Sequence, residues 1–162
     1  MAFASFNWEN LGLRLKFIYG QNGNPMTLLS GYAVHSIDPY TDHRAYTNTQ
    51  CLNVWFDTAY KGEIEPGLFM GVSKNIGAVK SIIPSITENG QTEKLIYTGG
   101  QDNVDMVYRF QPRVRWFLKP FIFGGELEVT GATFGTLTDT GRVINTKLVN
   151  NVRVLLAAFY VF

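Results

Sequence analysis

The chain has 162 residues, a formal net charge of +1 and a charged fraction of 17%. That length gives a single domain, read as 1–162, and so even a charge balance excludes a nucleic-acid binder working through a strong basic field, as well as a disordered acidic tail. Aromatic residues make up 14% of the chain beside 16 glycines, which favours strands and tight turns over helices, so the expected class is all-β.

Cys51 is the single cysteine, so neither an intrachain disulfide nor a cysteine metal site can be built. The longest strongly apolar run, Val154 to Phe162, is about half of the ~20 residues that a membrane-spanning helix needs. The opening Met1-Ala2-Phe3-Ala4-Ser5 lacks the basic and apolar regions of a secretory signal, so an exported chain is expected to be mature or truncated.

Period-two alternation carries the rest, because successive side chains of a strand point to opposite faces. From Leu11, the residues Leu13, Leu15, Phe17 and Tyr19 share one face, and Arg14 and Lys16 the other. Met26 to Val34 is the least decisive segment, with Leu28, Tyr32 and Val34 opposite Leu29, Gly31 and Ala33. Leu52, Val54, Phe56 and Tyr60 then lie opposite Asn53, Trp55 and Asp57, and Leu68, Met70 and Val72 opposite Phe69, Gly71 and Ser73. Along Tyr108 to Lys119, the apolar Tyr108, Phe110, Pro112, Val114, Trp116 and Leu118 separate from Arg109, Gln111, Arg113, Arg115 and Lys119. Along Phe121 to Phe134, Phe121, Phe123, Leu127 and Val129 alternate with Gly124, Glu126, Glu128 and Thr130. Lys119-Pro120 makes these two segments a hairpin that sets Arg113 opposite Glu126. Asn150 to Phe162 is the last strand, with Val152, Val154, Leu156, Ala158, Tyr160 and Phe162 on one face.

The links read as alternately short (Gly20 to Pro25, Lys61 to Pro66, Lys119-Pro120) and long (Ser36 to Ala45, Gly77 to Asn103, Gly135 to Lys147). Outer-membrane barrels have short periplasmic turns and longer extracellular loops. With Phe162 on the periplasmic rim, Tyr19, Tyr60, Trp116, Phe121, Phe123, Tyr160 and Phe162 are expected to form an aromatic girdle there. The expectation is thus an antiparallel, up-and-down transmembrane β-barrel with about seven strands visible. In this reading the Leu11 to Tyr19 strand descends from the extracellular side, and Phe3 to Glu9 is the end of a preceding loop. Seven strands would leave two unpaired edges and an N-terminus on the wrong rim, which points to an incomplete larger barrel. Lys94 to Thr98 is a weak extra strand that challenges this count.

The ending VRVLLAAFYVF, Val152 to Phe162, resembles the terminal β-signal of Gram-negative outer-membrane proteins, with a final Phe and an aromatic two residues before it. The runs YRFQPRVRW and GGELEVTGATFG, with GRVINTKLVNNVRV near the C-terminus, resemble the last strands of DcaP-like porins. The resemblance covers specifically the final third. It implies a trimeric outer-membrane channel for small hydrophilic, mainly anionic solutes such as dicarboxylates, not an enzyme and without a cofactor. Its partners would be membrane lipids, lipopolysaccharide and the barrel-assembly machinery, which would read Phe162.

Arg14, Lys16, Asp57, Arg109, Arg113, Arg115, Glu126, Glu128 and Arg153 all fall opposite the apolar stripe and are the expected pore-lining set. Cation excess favours anions, and pairs such as Arg113 with Glu126 would also hold the register. His35, Asp38, Asp42 and His43 share one predicted loop, where a barrel hydrolase could place a general base; no partnered nucleophile accompanies them, and the histidines lack the spacing of a metal site. The competing architecture is a soluble lipocalin-like barrel with its apolar face inward around an apolar ligand.

Overall fold

The computed structural model describes residues 1–23, 28–98 and 103–162. The chain is all-β and antiparallel, with no helix among the described residues. Its strands are β1 (Ala2–Trp8), β2 (Leu11–Gln21), β3 (Tyr32–Ile37), β4 (Arg44–Tyr60), β5 (Ile64–Ala78), β6 (Ser85–Glu88), β7 (Gln91–Lys94), β8 (Ile96–Tyr97), β9 (Val104–Leu118), β10 (Phe121–Leu137) and β11 (Val143–Tyr160). The main sheet runs β1-β2-β4-β5-β9-β10-β11 and is open: β1 and β11 are its edges. The turns after β1, β4 and β9, together with Phe162, mark its lower rim; Lys119-Pro120, the last of these turns, is a cis peptide.

Four expectations about chain order are corrected. Phe3 to Glu9 is no loop: Ala2–Trp8 pairs with β2 from Ala2 opposite Phe17 to Trp8 opposite Leu11. The turn between them is closed by Glu9, at a φ of 47°. Leu11 therefore starts on the lower rim, opposite Tyr60, and β2 ascends where descent was expected. The Met26 to Val34 strand is replaced by β3, which begins at Tyr32; residues 26 and 27 lie outside the described residues. β3 continues the column of β2 beside β4, with Gln21 opposite Gln50 below and Tyr32 opposite Asn48 above. Between them, Asn22 and Gly31 both bond Thr49. Of the expected Gly20 to Pro25 turn, Gly20 and Gln21 end β2 away from the short-link rim and residues 24 and 25 lie outside the described residues; the tip is Asp38 to His43, closed by the Asp38 amide on the His43 carbonyl at 2.9 Å.

Seven long columns remain, but Ala2–Trp8 supplies one and Met26 to Val34 does not. The Gly135 to Lys147 link also shortens, since Thr136 pairs with Ile144 and Leu137 with Val143. Only 138–142 turn, tied by the Thr138 amide on Arg142 and the Gly141 amide on Thr138. The Gly77 to Asn103 segment holds a β6–β7 hairpin and β8, so the weak Lys94 to Thr98 signal corresponds to two short pieces.

Register breaks at Gln50/Cys51 with β5, Thr133/Phe134 with β9 and Phe134/Thr136 with β11 lie toward the upper ends of the strands. Bulges bend strands, and above them the chain forms its buried cluster. Ala33, Ile82 and Ile96 pack with Ala78 and Leu137, while Val34, Leu95 and Cys51 are fully buried. Below the bulges both faces of the sheet are largely accessible. The core is therefore a cap at the upper rim, and the two faces of the sheet beneath it are left to meet other surroundings.

Candidate functional site: a two-faced sheet

In an antiparallel ladder directly opposed residues lie on the same face. One row crosses the sheet as Leu15, Phe56, Met70, Phe110, Val129 and Val152, and a neighbouring row begins Phe17, Val54, Val72 and Tyr108. This apolar face is uncovered, reaching 68% exposure at Val154 and 79% at Leu156.

At its lower rim the aromatics meet. Trp116 and Phe123 lie 6.0 Å apart, Phe121 and Tyr160 5.4 Å, and Tyr160 and Phe162 6.0 Å. Tyr60 sits on the same rim, at the foot of β4. Tyr19 does not belong to that girdle. Because β2 ascends, Tyr19 stands opposite Leu52 near the upper end, where its hydroxyl accepts from Gln50 Nε2 at 2.6 Å. Tyr108, whose hydroxyl donates to Asn150 at 2.7 Å, stands near that height. Tyr108 and Leu118 are ten residues apart on β9. At ~3.3 Å per residue, that separation is about 33 Å along the strand.

The opposite face gathers the expected charged set. Arg113 Nη2 donates to Asp57 Oδ1 at 2.7 Å, with Arg14 4.0 Å from the same carboxylate. Arg109 and Arg153 converge on Glu128 at 3.5 and 3.1 Å, and Arg115 donates to Glu65 at 2.5 Å. The carboxylates are the sheltered partners, with side-chain exposures of 16% for Asp57 and 12% for Glu128. Glu126 does stand opposite Arg113 in the ladder, but the expected pairing fails. Gly67 lies between Thr58 and Arg113, and the Arg113 chain passes so close that a β-carbon at Gly67 would sit 3.0 Å from Nε and 3.2 Å from Cγ. The missing side chain lets the guanidinium cross β5 to Asp57. Lys16 and Glu126 form no ion pair among the described residues.

Glu65 is the member that sequence reasoning missed, because Lys61 to Pro66 reads as a turn. Its parity with Gly67 and Phe69 on β5 was the available signal. Arg14, Asp57, Glu65, Arg113 and Arg115 border one cleft of about 210 Å³ near the lower rim.

The expected His35, Asp38, Asp42 and His43 loop is not one unit: His35 lies in β3, and only Asp38 to His43 form the turn. His35 Nδ1 lies 2.7 Å from the Ser81 carbonyl oxygen, and Asp38 accepts from the Tyr40 and Thr41 amides at 2.8 and 3.0 Å. Those two amide bonds hold the Asp38 carboxyl below its ordinary value. Cys51 is fully buried, 3.4 Å from Ser30 Oγ.

Above the sheet, Arg44 at the start of β4 grips Glu93 of the β6–β7 hairpin through two bonds of 2.7 and 2.9 Å. The Arg44 hydrogen bonds depress the Glu93 carboxyl, while Glu93 raises Arg44. A folded-state value below the unfolded one stabilises the docked hairpin above the ordinary carboxylate range and is lost as pH falls through the depressed value. Acidification, or Arg44→Ala at neutral pH, is expected to release the β6–β7 hairpin from β4; faster cleavage at its Glu88–Gln91 turn by limited proteolysis, with the main sheet intact, checks this.

Comparison with protein-family models, with curated proteins and with solved structures yields no match. The functional reading rests on the two faces themselves.

Proposed function

We propose that this sheet is the wall of an outer-membrane β-barrel, a porin-like channel of a Gram-negative bacterium, with the apolar face toward lipid and the charged face toward a water-filled lumen. The observation that carries the reading is the pairing of these faces in one thin sheet: an uncovered apolar field backs directly onto a network of ion-paired arginines and carboxylates. In water such a continuous apolar patch is a liability, and in a bilayer it is the required surface. The aromatics at the lower rim, with Tyr19 and Tyr108 higher up, fit the two interfaces of a hydrocarbon band.

Closure requires further strands against the β1 and β11 edges. The lumen face passes small hydrophilic solutes without chemistry, and Arg14, Lys16, Arg109, Arg113, Arg115 and Arg153, outnumbering Asp57, Glu65, Glu126 and Glu128, give it a modest preference for anions. Phe162 and Tyr160 serve as the insertion signal read by the assembly machinery, lipids and lipopolysaccharide surround the wall, and the channel assembles as a homo-oligomer.

The test is fractionation followed by reconstitution. Expressed together with the strands that close it, the protein is expected in the outer-membrane fraction, to require detergent for extraction, and to give stepwise conductance in planar bilayers. A folded monomer, soluble at high concentration without detergent, would overturn the reading and favour the inward-facing apolar barrel.

A further inference from the structure

The charged face is not uniformly polar. One rung of the ladder places Phe3, Lys16, Trp55, Gly71, Arg109 and Thr130 side by side across six strands. The Trp55 ring centroid lies 6.3 Å from Phe3 on one side and 6.0 Å from Phe69 on the other. Gly71 leaves the rung open beside this aromatic track. A β-carbon there would stand 3.2 Å from the Phe69 ring and 3.4 Å from Trp55 Cβ. The opening is a cleft of about 450 Å³ bordered by Trp55, Phe69, Gly71, Ser73, Arg109 and Thr130, within the size range of small-molecule sites. Arg109 and Thr130 form its polar edge.

From this geometry we infer that the Gly71 cleft is a saccharide-binding subsite, in which a pyranose ring stacks on Trp55 and Phe69 while its hydroxyls bond Thr130 and Arg109. Two features select a neutral polyol ring. The negative faces of aromatic rings attract the weakly positive C–H face of a sugar. Arg109 is already shared with Glu128, so the site offers donors and acceptors together, as hydroxyls require, and an anion would have to compete with a resident carboxylate. The inference rests on the polar face being open to solutes, as proposed above.

The test is calorimetric titration of the full chain in detergent micelles with maltose, with mannitol as an open-chain polyol lacking a ring face, and with benzoate as a ring-bearing anion. Maltose is expected to bind at least fivefold more tightly than either. Trp55→Leu should weaken maltose at least fivefold, and Trp55→Phe should stay within twofold of the parent. Thr130→Val, which keeps the aromatic track, should weaken maltose about threefold and supports the site independently if Trp55→Leu fails to fold. Equal binding of mannitol, tighter binding of benzoate, or maltose affinity unmoved by Trp55→Leu and Thr130→Val would overturn the inference. Because binding in micelles needs no conductance, saccharide binding without channel activity would remove the transport reading and leave this site; conductance without saccharide binding would do the reverse.

Discussion

Met70→Arg is expected to destabilise the bilayer-embedded protein by about 2–4 kcal/mol, the cost of a cationic side chain on the lipid face of a barrel near midplane. Met70 stands in the middle of the apolar row, between Phe56 and Phe110, with no acidic group on that row. Gln111→Arg supplies the control. Gln111 lies one residue beyond Phe110, opposite Phe69 on the charged face, where a cation meets water and the change should stay within about 0.5 kcal/mol. Denaturant titrations of both variants in lipid vesicles measure the difference. Equal effects would mean that the two faces do not see different solvents, and an inverted order would place the apolar face inside a soluble barrel.

The second large effect concerns charge selection. Replacing Arg109 and Arg115 with glutamine leaves Arg14, Lys16, Arg113 and Arg153 to balance Asp57, Glu65, Glu126 and Glu128. It also removes the Glu65 partner, whereas Glu128 keeps Arg153. The anion preference of the reconstituted channel should collapse toward none, read as a reversal potential near zero under a salt gradient, with single-channel conductance retained. Low ionic strength makes the contrast largest, because lumen charges are then least screened. A reversal potential left where it was by the double substitution would make these arginines structural and remove the basis for anion selection. Arg113 is unsuited to this test: its bond to Asp57 joins β9 to β4 across β5, so its loss would mix selectivity with support of the wall.

Much of the lower sheet was legible because period two is a local property. Tyr108 to Phe134 read directly into β9 and β10, and the Arg113 to Glu126 register followed from the hairpin. What the sequence hid was geometry that no local pattern carries. Ala2–Trp8 alternates as well, with Phe3, Ser5 and Asn7 opposite Ala4, Phe6 and Trp8, but its turn is made by Glu9 without glycine or proline, so the hairpin gave no punctuation. That omission reversed the direction of β2 and carried Tyr19 to the wrong rim. Val143–Lys147 reads as loop because Asn145, Thr146 and Lys147 are polar and exposed, a pattern that also fits a strand continuing above an apolar band. The Arg113 to Asp57 bond was unreadable for a different reason: long side chains reach diagonally, and only the gap at Gly67 decides which carboxylate is met.

The two edges of the sheet run the same way. β1 and β11 both head toward the lower rim, since seven columns alternate between them. A circle of antiparallel neighbours holds an even number of members, so these seven close only when an odd number of additional strands stands between β11 and β1. Copies of this sheet set edge to edge in one orientation across a membrane would bring together two strands of like polarity at every seam. Parity alone therefore excludes a wholly antiparallel ring built from this sheet repeated, and it requires the strand lying against β11 to climb from the rim where Phe162 sits.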